Sequence, residues 1–190
     1  MYSINDIAIP KSPFLESQTN RPTREWLMYL LSLGRQPAYG SFLSTATQTA
    51  AVNTPTRLVF DTQVTANQLY YTTGDGIHVQ QDGIYNVQFS AQLVNTDTAI
   101  HDVNIWLRQN GIDIPITASI ISVPTKHGSV NGAAIVAANF FVTMTSGDYI
   151  ELWWATDSTQ VSVQTLPAQT SPYAAPSSPG LVVTLQKVNL

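Results

Sequence analysis

The clearest pattern in this chain is a strict alternation of apolar and polar residues over positions 83–93. A side-chain period of two predicts a β-strand that turns one face to a core and the other to solvent or to a partner. The pair Asp82-Gly83 directly before it favours the tight turn that leads into a strand. The apolar residues predicted to share one face are Tyr85, Val87, Phe89, Ala91 and Leu93.

Strand character continues along most of the chain after residue 38. Short runs rich in β-branched and aromatic residues are separated by turn pairs such as Asn110-Gly111 and Asn131-Gly132. About ten short strands in about 150 residues predict an all-β sandwich and favour a jelly roll of two packed sheets. We predict strands near 39–44, 57–61, 68–72, 77–80, 84–94, 102–109, 113–121, 133–144, 148–155, 160–165 and 181–188.

The start of the chain has a different character. We predict an extended arm over 1–21, because two prolines and a polar run interrupt any regular period. Pro22 suits the first turn of a helix, and 23–33 contains good helix formers before Gly34, a favoured C-cap residue. Apolar side chains cover nearly the whole circumference of this predicted helix, so it must be buried against a partner.

Several predicted strands are apolar on both faces. In 133–144, Phe140 and Phe141 point to opposite sides, and 149–155 shows the same pattern. One face fills the sandwich, and the other exposes enough apolar surface to indicate an interface. We therefore predict an obligate oligomer. The alternative is that the loop 166–180, rich in Pro, Ser and Ala, covers this second face within one subunit.

Composition excludes several classes of function. The 190 residues include no cysteine, so the chain has no disulfide framework, thiolate nucleophile or cysteine-based zinc site. Only 11% of the residues are charged and the net charge is -4, which leaves no basic footprint for nucleic acid and no polybasic membrane patch. No apolar run approaches the roughly 20 residues that span a bilayer, and residues 1–14 lack the features of a signal peptide. We expect a soluble, unprocessed chain with no membrane insertion and no cofactor.

The residues that could carry catalysis form no convincing active site. His78, His101 and His127 fall in different predicted turns or strand ends, and the chain has no Gly-x-Ser-x-Gly elbow for a Ser/His/Asp triad. No histidine pair has the helical i, i+4 spacing of a zinc site. We therefore predict that the protein is not an enzyme and has no catalytic residue.

Three aspartates admit two interpretations. Asp75 and Asp82 flank one short predicted strand, and Asp61 lies upstream of it. They either converge at a loop end and bind a hard cation such as calcium, or serve the turns in which they stand. The second interpretation is the simpler one, and the sequence leaves the question open.

The aromatic residues of the β domain also admit two interpretations. They either form a sugar-stacking platform or pack in the core, and core packing is favoured for most of them. Trp106 is the exception, because it alternates with Val103, Ile105 and Leu107 and so points either into an interface or to solvent. The residues concerned are Trp106, Trp153, Trp154, Tyr70 and Tyr71.

Four segments in order resemble the C1q/TNF-like globular domain. They are 82–93, 103–111, 146–153 and 180–185, with Val87 standing where that family usually has a phenylalanine. The resemblance covers roughly residues 38–190 and implies a ten-stranded jelly roll that trimerises through one apolar sheet face. We assign five aromatic residues to this trimer interface: Tyr85, Trp106, Phe141, Tyr149 and Trp153.

The N-terminal segment resembles the short leader of many tailed-phage structural proteins. The segments that carry this resemblance are 13–15 and 19–27, where a polar turn flanked by proline precedes an aromatic-rich helix. It implies that residues 1–37 anchor the protein to a virion and that residues 38–190 form the projecting domain. The predicted anchor residues are Phe14, Leu15, Arg21, Pro22, Trp26, Leu27, Tyr29, Leu30 and Leu31.

Together the two resemblances imply a phage virion structural protein. Its expected partners are two further copies of itself in a homotrimer, other virion proteins (capsid, portal or tail) and a glycan or protein on the host surface. The expected location is the phage particle, on the head or on the tail. The alternative is a secreted C1q/TNF-like recognition or signalling ligand, which the missing signal peptide, cysteines and collagen-like repeat disfavour.

Overall fold

The computed structural model describes residues 9–33 and 37–188. The chain divides into two compact units at the boundary between Pro37 and Ala38. The first unit contains one helix, α1 (Arg24–Leu33), and the second is built from strands. No helix in the described part of the chain is long and apolar enough to cross a membrane.

The N-terminal unit folds back on itself where we predicted an extended arm. Residues 14–23 form a turn, in which Leu15 and Pro22 make an antiparallel bridge and the amide of Glu16 donates to the carbonyl of Arg21 at 2.9 Å. These hydrogen bonds define the turn without a helix or strand. A segment with no regular spacing of apolar residues therefore still has a defined conformation. Residues 14–23 therefore depart from the fully extended conformation that we predicted, while residues 1–8 lie outside the described residues.

The helix occupies the predicted position. It begins at Arg24 after Thr23, whose carbonyl accepts the first helical hydrogen bond from the amide of Leu27 at 2.9 Å. Thr23 thus takes the N-cap position, which its short polar side chain suits. The predicted C-cap, Gly34, lies outside the described residues.

The second unit contains fourteen strands. Ten of them have four or more residues, which confirms the predicted ten-stranded all-β architecture. The strands are β1 (Tyr39–Ser44), β2 (Gln48–Thr49), β3 (Thr56–Arg57), β4 (Thr62–Asn67), β5 (Leu69–Thr72), β6 (Gly76–Val79), β7 (Gly83–Asn95), β8 (His101–Gln109), β9 (Ile112–Asp113), β10 (Ser119–Val123), β11 (Gly132–Met144), β12 (Tyr149–Thr156), β13 (Val161–Val163) and β14 (Leu181–Lys187).

The strands form two antiparallel sheets of seven strands each. In sheet I, β7 pairs with β11 along one edge and with β14 and β13 along the other, and the sheet continues through β1 to β4. Sheet II has the order β10-β8-β12-β6-β5, with β9 beside β8 and β3 beside β12. The β7 and β11 pair is the longest, since it runs unbroken from Gly83 opposite Met144 to Asn95 opposite Gly132.

The core lies between the sheets and contains the inward faces predicted from the alternation. The odd positions of β7 from Tyr85 to Leu93 are all buried, as is Trp154 on the inner side of β12. Leu58 and Phe60 are also buried, although they lie in a loop where we predicted a strand over 57–61. Buried apolar side chains in an irregular segment give the same sequence pattern as a strand. The strand that follows, β4, was not predicted because it carries mostly polar, exposed residues.

Tyr85 belongs to this core and not to an interface, which corrects its predicted role. Its side chain is 0% exposed, and its hydroxyl donates to the carbonyl of Gln81 at 2.7 Å. Burial, assisted by the charge of Asp82, raises the pKa of Tyr85 to about 12. The reason lies in the alternation itself, because Tyr85 shares its face of β7 with Val87 and Phe89.

Candidate functional site

The outer surface of sheet I extends across five strands of the β domain. We call it the neutral face and define it by the outward residues of β11, β7, β14, β1 and β4. Residues directly opposite one another in antiparallel strands share a face, so they form rows across the sheet. Three such rows are Phe141, Asn86, Gln186, Tyr39 and Asn67; Asn139, Gln88, Thr184, Ser41 and Thr65; and Ala137, Ser90, Val182, Leu43 and Thr62.

None of the residues in these rows is charged. Exposed sheet surfaces ordinarily carry lysine, arginine, glutamate or aspartate, whereas the centres of protein interfaces are depleted of charged residues. The neutral face is also grooved. One open groove of about 590 Å³ runs past Ser90, Ala137 and Asn139, and another of about 230 Å³ lies between Tyr39 and Asn86. Such grooves provide room for the side chains of a partner.

The border of the neutral face at β11 is exposed and apolar. Phe141 is 68% exposed and Ile135 is 64% exposed, although both are large apolar side chains. Among the described residues β11 pairs only with β7, so its other edge presents unpaired backbone groups along a strand of 13 residues. Edge strands are normally protected by lysine, proline or a bulge, and β11 has neither charged residue nor proline. This edge is suited to contact with a partner.

One buried polar atom of the neutral face lacks a hydrogen bond. The side-chain oxygen Oδ1 of Asn86 is buried and finds no donor among the described residues. An unsatisfied buried acceptor costs about 1–3 kcal/mol. Asn86 lies in the first row, beside Phe141 and Gln186. The atom is already covered within one chain, so this cost belongs to the single subunit and does not identify a partner.

The outer surface of sheet II carries a different set of side chains. We call it the aromatic face and define it by Trp106, Arg108, Asp113, Tyr149 and Trp153. Trp106 and Trp153 lie directly opposite each other on β8 and β12, and the guanidinium carbon of Arg108 lies 3.9 Å from the centre of the Trp153 ring. Both tryptophans are half-buried. This stacking is a cation–π contact that holds Arg108 flat against the sheet.

Asp113 connects two residues of the aromatic face by hydrogen bonds. Its Oδ1 accepts a hydrogen bond from Trp106 Nε1 at 2.6 Å and another from Arg108 Nε. The hydrogen bond from Arg108, followed by that from Trp106, holds the pKa of Asp113 below its ordinary value. The carboxylate therefore stays ionised across the neutral pH range.

The structure does not bring the five predicted interface residues together. Phe141 lies on the neutral face, whereas Trp106, Tyr149 and Trp153 lie on the aromatic face at the opposite side of the sandwich. Together with the buried Tyr85, they occupy three separate environments. Alternation along a strand separates inward from outward positions, but it does not say to which of the two sheets an outward residue belongs.

Several residues of both faces were not predicted. Asn86 and Ile135 could have been found once β7 and β11 were paired, because the register places them on the outer side. Arg108 and Asp113 lie on either side of the turn Asn110-Gly111, and they are directly opposite each other in the hairpin. If a two-residue turn had been assumed at Asn110-Gly111, the sequence alone would have placed Arg108 opposite Asp113.

The predicted anchor residues form part of a small aromatic cluster in the N-terminal unit. The ring of Trp26 makes edge-to-face contacts with Phe14 at 5.4 Å and with Tyr29 at 5.6 Å between centres. Its Nε1 donates to the carbonyl of Ser12 at 2.8 Å, which joins the turn to the helix. The turn itself contains Leu15, Arg21 and Pro22, and the helix leaves Leu27, Leu30 and Leu31 exposed.

The solved structures show which fold this is. The chain is similar to murine APRIL, a TNF-family protein whose crystal structure was determined at pH 5.0, with a TM-score of 0.50 and 14% sequence identity over 80% of this chain and 100% of that chain. The β domain is a C1q/TNF-like jelly roll. No family model matches the chain, and no curated protein matches it. The comparison confirms the predicted fold class.

The three aspartates considered for a cation do not converge in the jelly roll. Burial opposes ionisation of Asp61, yet hydrogen bonds from Thr45 and Thr62 hold its pKa below the ordinary value. Asp82 accepts from the amide of Ser146 at 2.7 Å, and Asp75 lies 3.6 Å from the ring of His78. Within the described residues no three His, Cys, Asp or Glu side chains form a group that could hold a metal ion.

His101 lies between two carboxylates at one end of the jelly roll. Its Nε2 is 2.9 Å from Oδ2 of Asp97 and its Nδ1 is 3.1 Å from Oδ1 of Asp157. Only the imidazolium form carries a proton on both nitrogens and can donate to both acceptors. The hydrogen bond to Asp97 is the main cause that raises the pKa of His101 above its ordinary value, with a contribution from Asp157.

This geometry predicts a pH dependence of stability. The folded-state pKa of His101 is raised, so its contribution is complete below the ordinary histidine pKa of about 6.5 and is lost as the pH rises through the higher folded value. We expect the melting temperature of the wild type to fall more steeply than that of His101→Gln as the pH rises above about 6.5. If the melting temperatures of the two proteins, measured by calorimetry, changed equally with pH, a group other than His101 would cause the change.

Proposed function

We propose that the chain is a non-enzymatic structural protein that assembles as a homotrimer through the neutral face and the β11 edge. The observation that carries this proposal is the absence of charge from every residue in the three rows of the neutral face. We take a second copy as the partner, because interface centres are depleted of charged residues and the β11 border of this largely polar, uncharged face is apolar.

The two contact surfaces differ, which restricts the symmetry. One is a broad, grooved sheet face, and the other is a strand edge bordered by Phe141 and Ile135. A contact between two different surfaces of identical subunits runs head to tail and closes into a ring when the rotation fits. Three copies are favoured by the resemblance of the chain to C1q/TNF-like domains. In such a trimer each neutral face is covered by the β11 edge of the next copy.

We further propose that the N-terminal unit anchors this trimer to a phage particle. The unit has its own turn and aromatic cluster, and its helix exposes Leu27, Met28, Leu30 and Leu31, which are 48%, 56%, 45% and 60% exposed. Exposed apolar side chains concentrated on one short helix favour a protein partner. The resemblance of residues 13–27 to phage leaders supports capsid, portal or tail proteins as that partner, with the jelly roll projecting toward the host surface.

Light scattering coupled to size-exclusion chromatography tests the assembly directly. We expect a mass three times the 20.7 kDa of one chain at micromolar concentration. A monomer mass under these conditions would contradict the proposal. A dimer mass would contradict it too, because a closed dimer uses the same surface on both copies and not two different surfaces.

A further inference from the structure

We propose that the aromatic face binds carbohydrate, with Trp106 as the stacking surface and with Arg108 and Asp113 as the hydrogen-bonding pair. This inference deepens the proposed contact with the host surface. It rests on the proposed trimer only for the number of sites presented together, because each site is complete within one chain.

Trp106 provides the aromatic surface of the site. It is half-buried on the outer side of β8 and lies beside Trp153, with its Nε1 held by Asp113 at 2.6 Å. An indole fixed in this way presents a rigid apolar plane with a polar border. The C–H groups on one side of a pyranose ring form a complementary apolar plane, while the hydroxyl groups project from the ring edge.

Arg108 and Asp113 provide polar groups beside this plane. Both hydrogen bonds that Asp113 accepts go to Oδ1, and the side chain is 58% exposed, so Oδ2 can accept a further bond. Arg108 uses Nε for Asp113, and its two terminal amino groups make no hydrogen bond within the described residues. A guanidinium donor next to a carboxylate acceptor matches two neighbouring hydroxyl groups of a sugar, since a hydroxyl both donates and accepts.

The site is preorganised by its position on strands. Asn110 and Gly111 have φ angles of 53° and 78°, which is the geometry of a two-residue hairpin turn. This turn brings Asp113 on β9 directly opposite Arg108 on β8. Arg108 is in turn held against Trp153. The three groups therefore need little ordering when a ligand binds, which lowers the entropic cost of binding.

The charge balance of the site favours a sugar over a charged peptide or phosphate. One arginine and one aspartate pair with each other, so the binding groups have no net charge to attract an ion. A single sugar ring gains little affinity from so few contacts. Three copies of the site on one trimer would strengthen attachment to a surface that carries many glycans, because the second and third contacts form at high effective concentration.

A glycan microarray probed with the purified full-length protein tests the inference. We expect the wild type to be retained on a subset of the printed oligosaccharides, and we expect Trp106→Ala to reduce this retention by about tenfold or more. Asp113→Asn provides a second variant, since an amide oxygen still accepts from Trp106 Nε1 but the charge is lost, and we expect weaker retention. Tyr173→Ala is the matched control, because Tyr173 is 66% exposed on a different loop and should leave retention unchanged.

Light scattering on the same samples separates this inference from the proposed trimer. A trimer that retains no oligosaccharide would overturn the carbohydrate site and leave the assembly intact. A monomer that transfers saturation to the protons of that oligosaccharide in an NMR experiment would support the site and contradict the trimer. Folded Trp106→Ala protein that is retained as strongly as the wild type would overturn the site. So would the finding that Trp106 is needed to bind a host surface protein but is not needed to bind any glycan.

Discussion

Replacing Phe141 with aspartate is expected to convert the trimer into a folded monomer. Phe141 is 68% exposed in the single chain, so the substitution removes little packing within the jelly roll. In the proposed trimer, however, the same position is buried at the border of the neutral face. A buried carboxylate without a partner costs about 3–5 kcal/mol, and the cost is repeated at each of the interfaces. The mass measured by light scattering should fall threefold, while the circular dichroism spectrum stays that of the wild type.

Ile112→Asp is the matched control for this experiment. Ile112 is 73% exposed on β9, which belongs to sheet II, and the substitution introduces the same charge on the opposite side of the sandwich. We expect this variant to remain trimeric. If Phe141→Asp also remained trimeric and stable, the neutral face would not be the interface. If both variants lost the trimer, the effect would follow from added charge and not from the position of Phe141.

The alternation of apolar and polar residues was sufficient to predict the core. The odd positions from 85 to 93 point inward as the period of two requires, and β11, β12 and β14 lie within a few residues of their predicted bounds. These strands are long and strongly patterned, so local sequence determines which face is buried. Tyr85 was therefore predictable as a core residue. Its assignment to an interface followed from the resemblance to a trimeric domain. The alternation along β7 places Tyr85 on the same face as Val87 and Phe89, and so in the core.

The arrangement of the outer faces could not be predicted in the same way. Whether Trp106 and Phe141 share a surface depends on which strands pair, and that is decided by contacts between residues far apart in the sequence. Edge strands are also difficult, because β4 carries polar residues on both sides and its apolar side chains are only Val64 and Ala66. Short loops with their own hydrogen bonds, such as the turn at residues 14–23, give no periodic signal at all.

The prediction with the largest biological effect concerns residues 1–37. Deleting them is expected to leave a β domain that folds and melts cooperatively but no longer joins the phage particle. The boundary between the two compact units falls between Pro37 and Ala38, so the deletion removes one unit without cutting the jelly roll. Each large apolar side chain that the helix buries in a partner contributes about 1.5–3 kcal/mol, and the deletion removes several of them at once.

The measurement compares occupancy on purified particles, by mass spectrometry, for the full-length and truncated proteins. A full-length variant with Leu27→Asp and Leu31→Asp is a second test, because both side chains are exposed on the helix and their replacement leaves the turn and the aromatic cluster in place. We expect this variant to lose occupancy nearly as completely as the truncation. If the truncated protein were found on particles at normal occupancy, the jelly roll itself would make the attachment. The exposed leucines would then have to be covered by something other than the particle, and the other two copies in the trimer would be the first candidates.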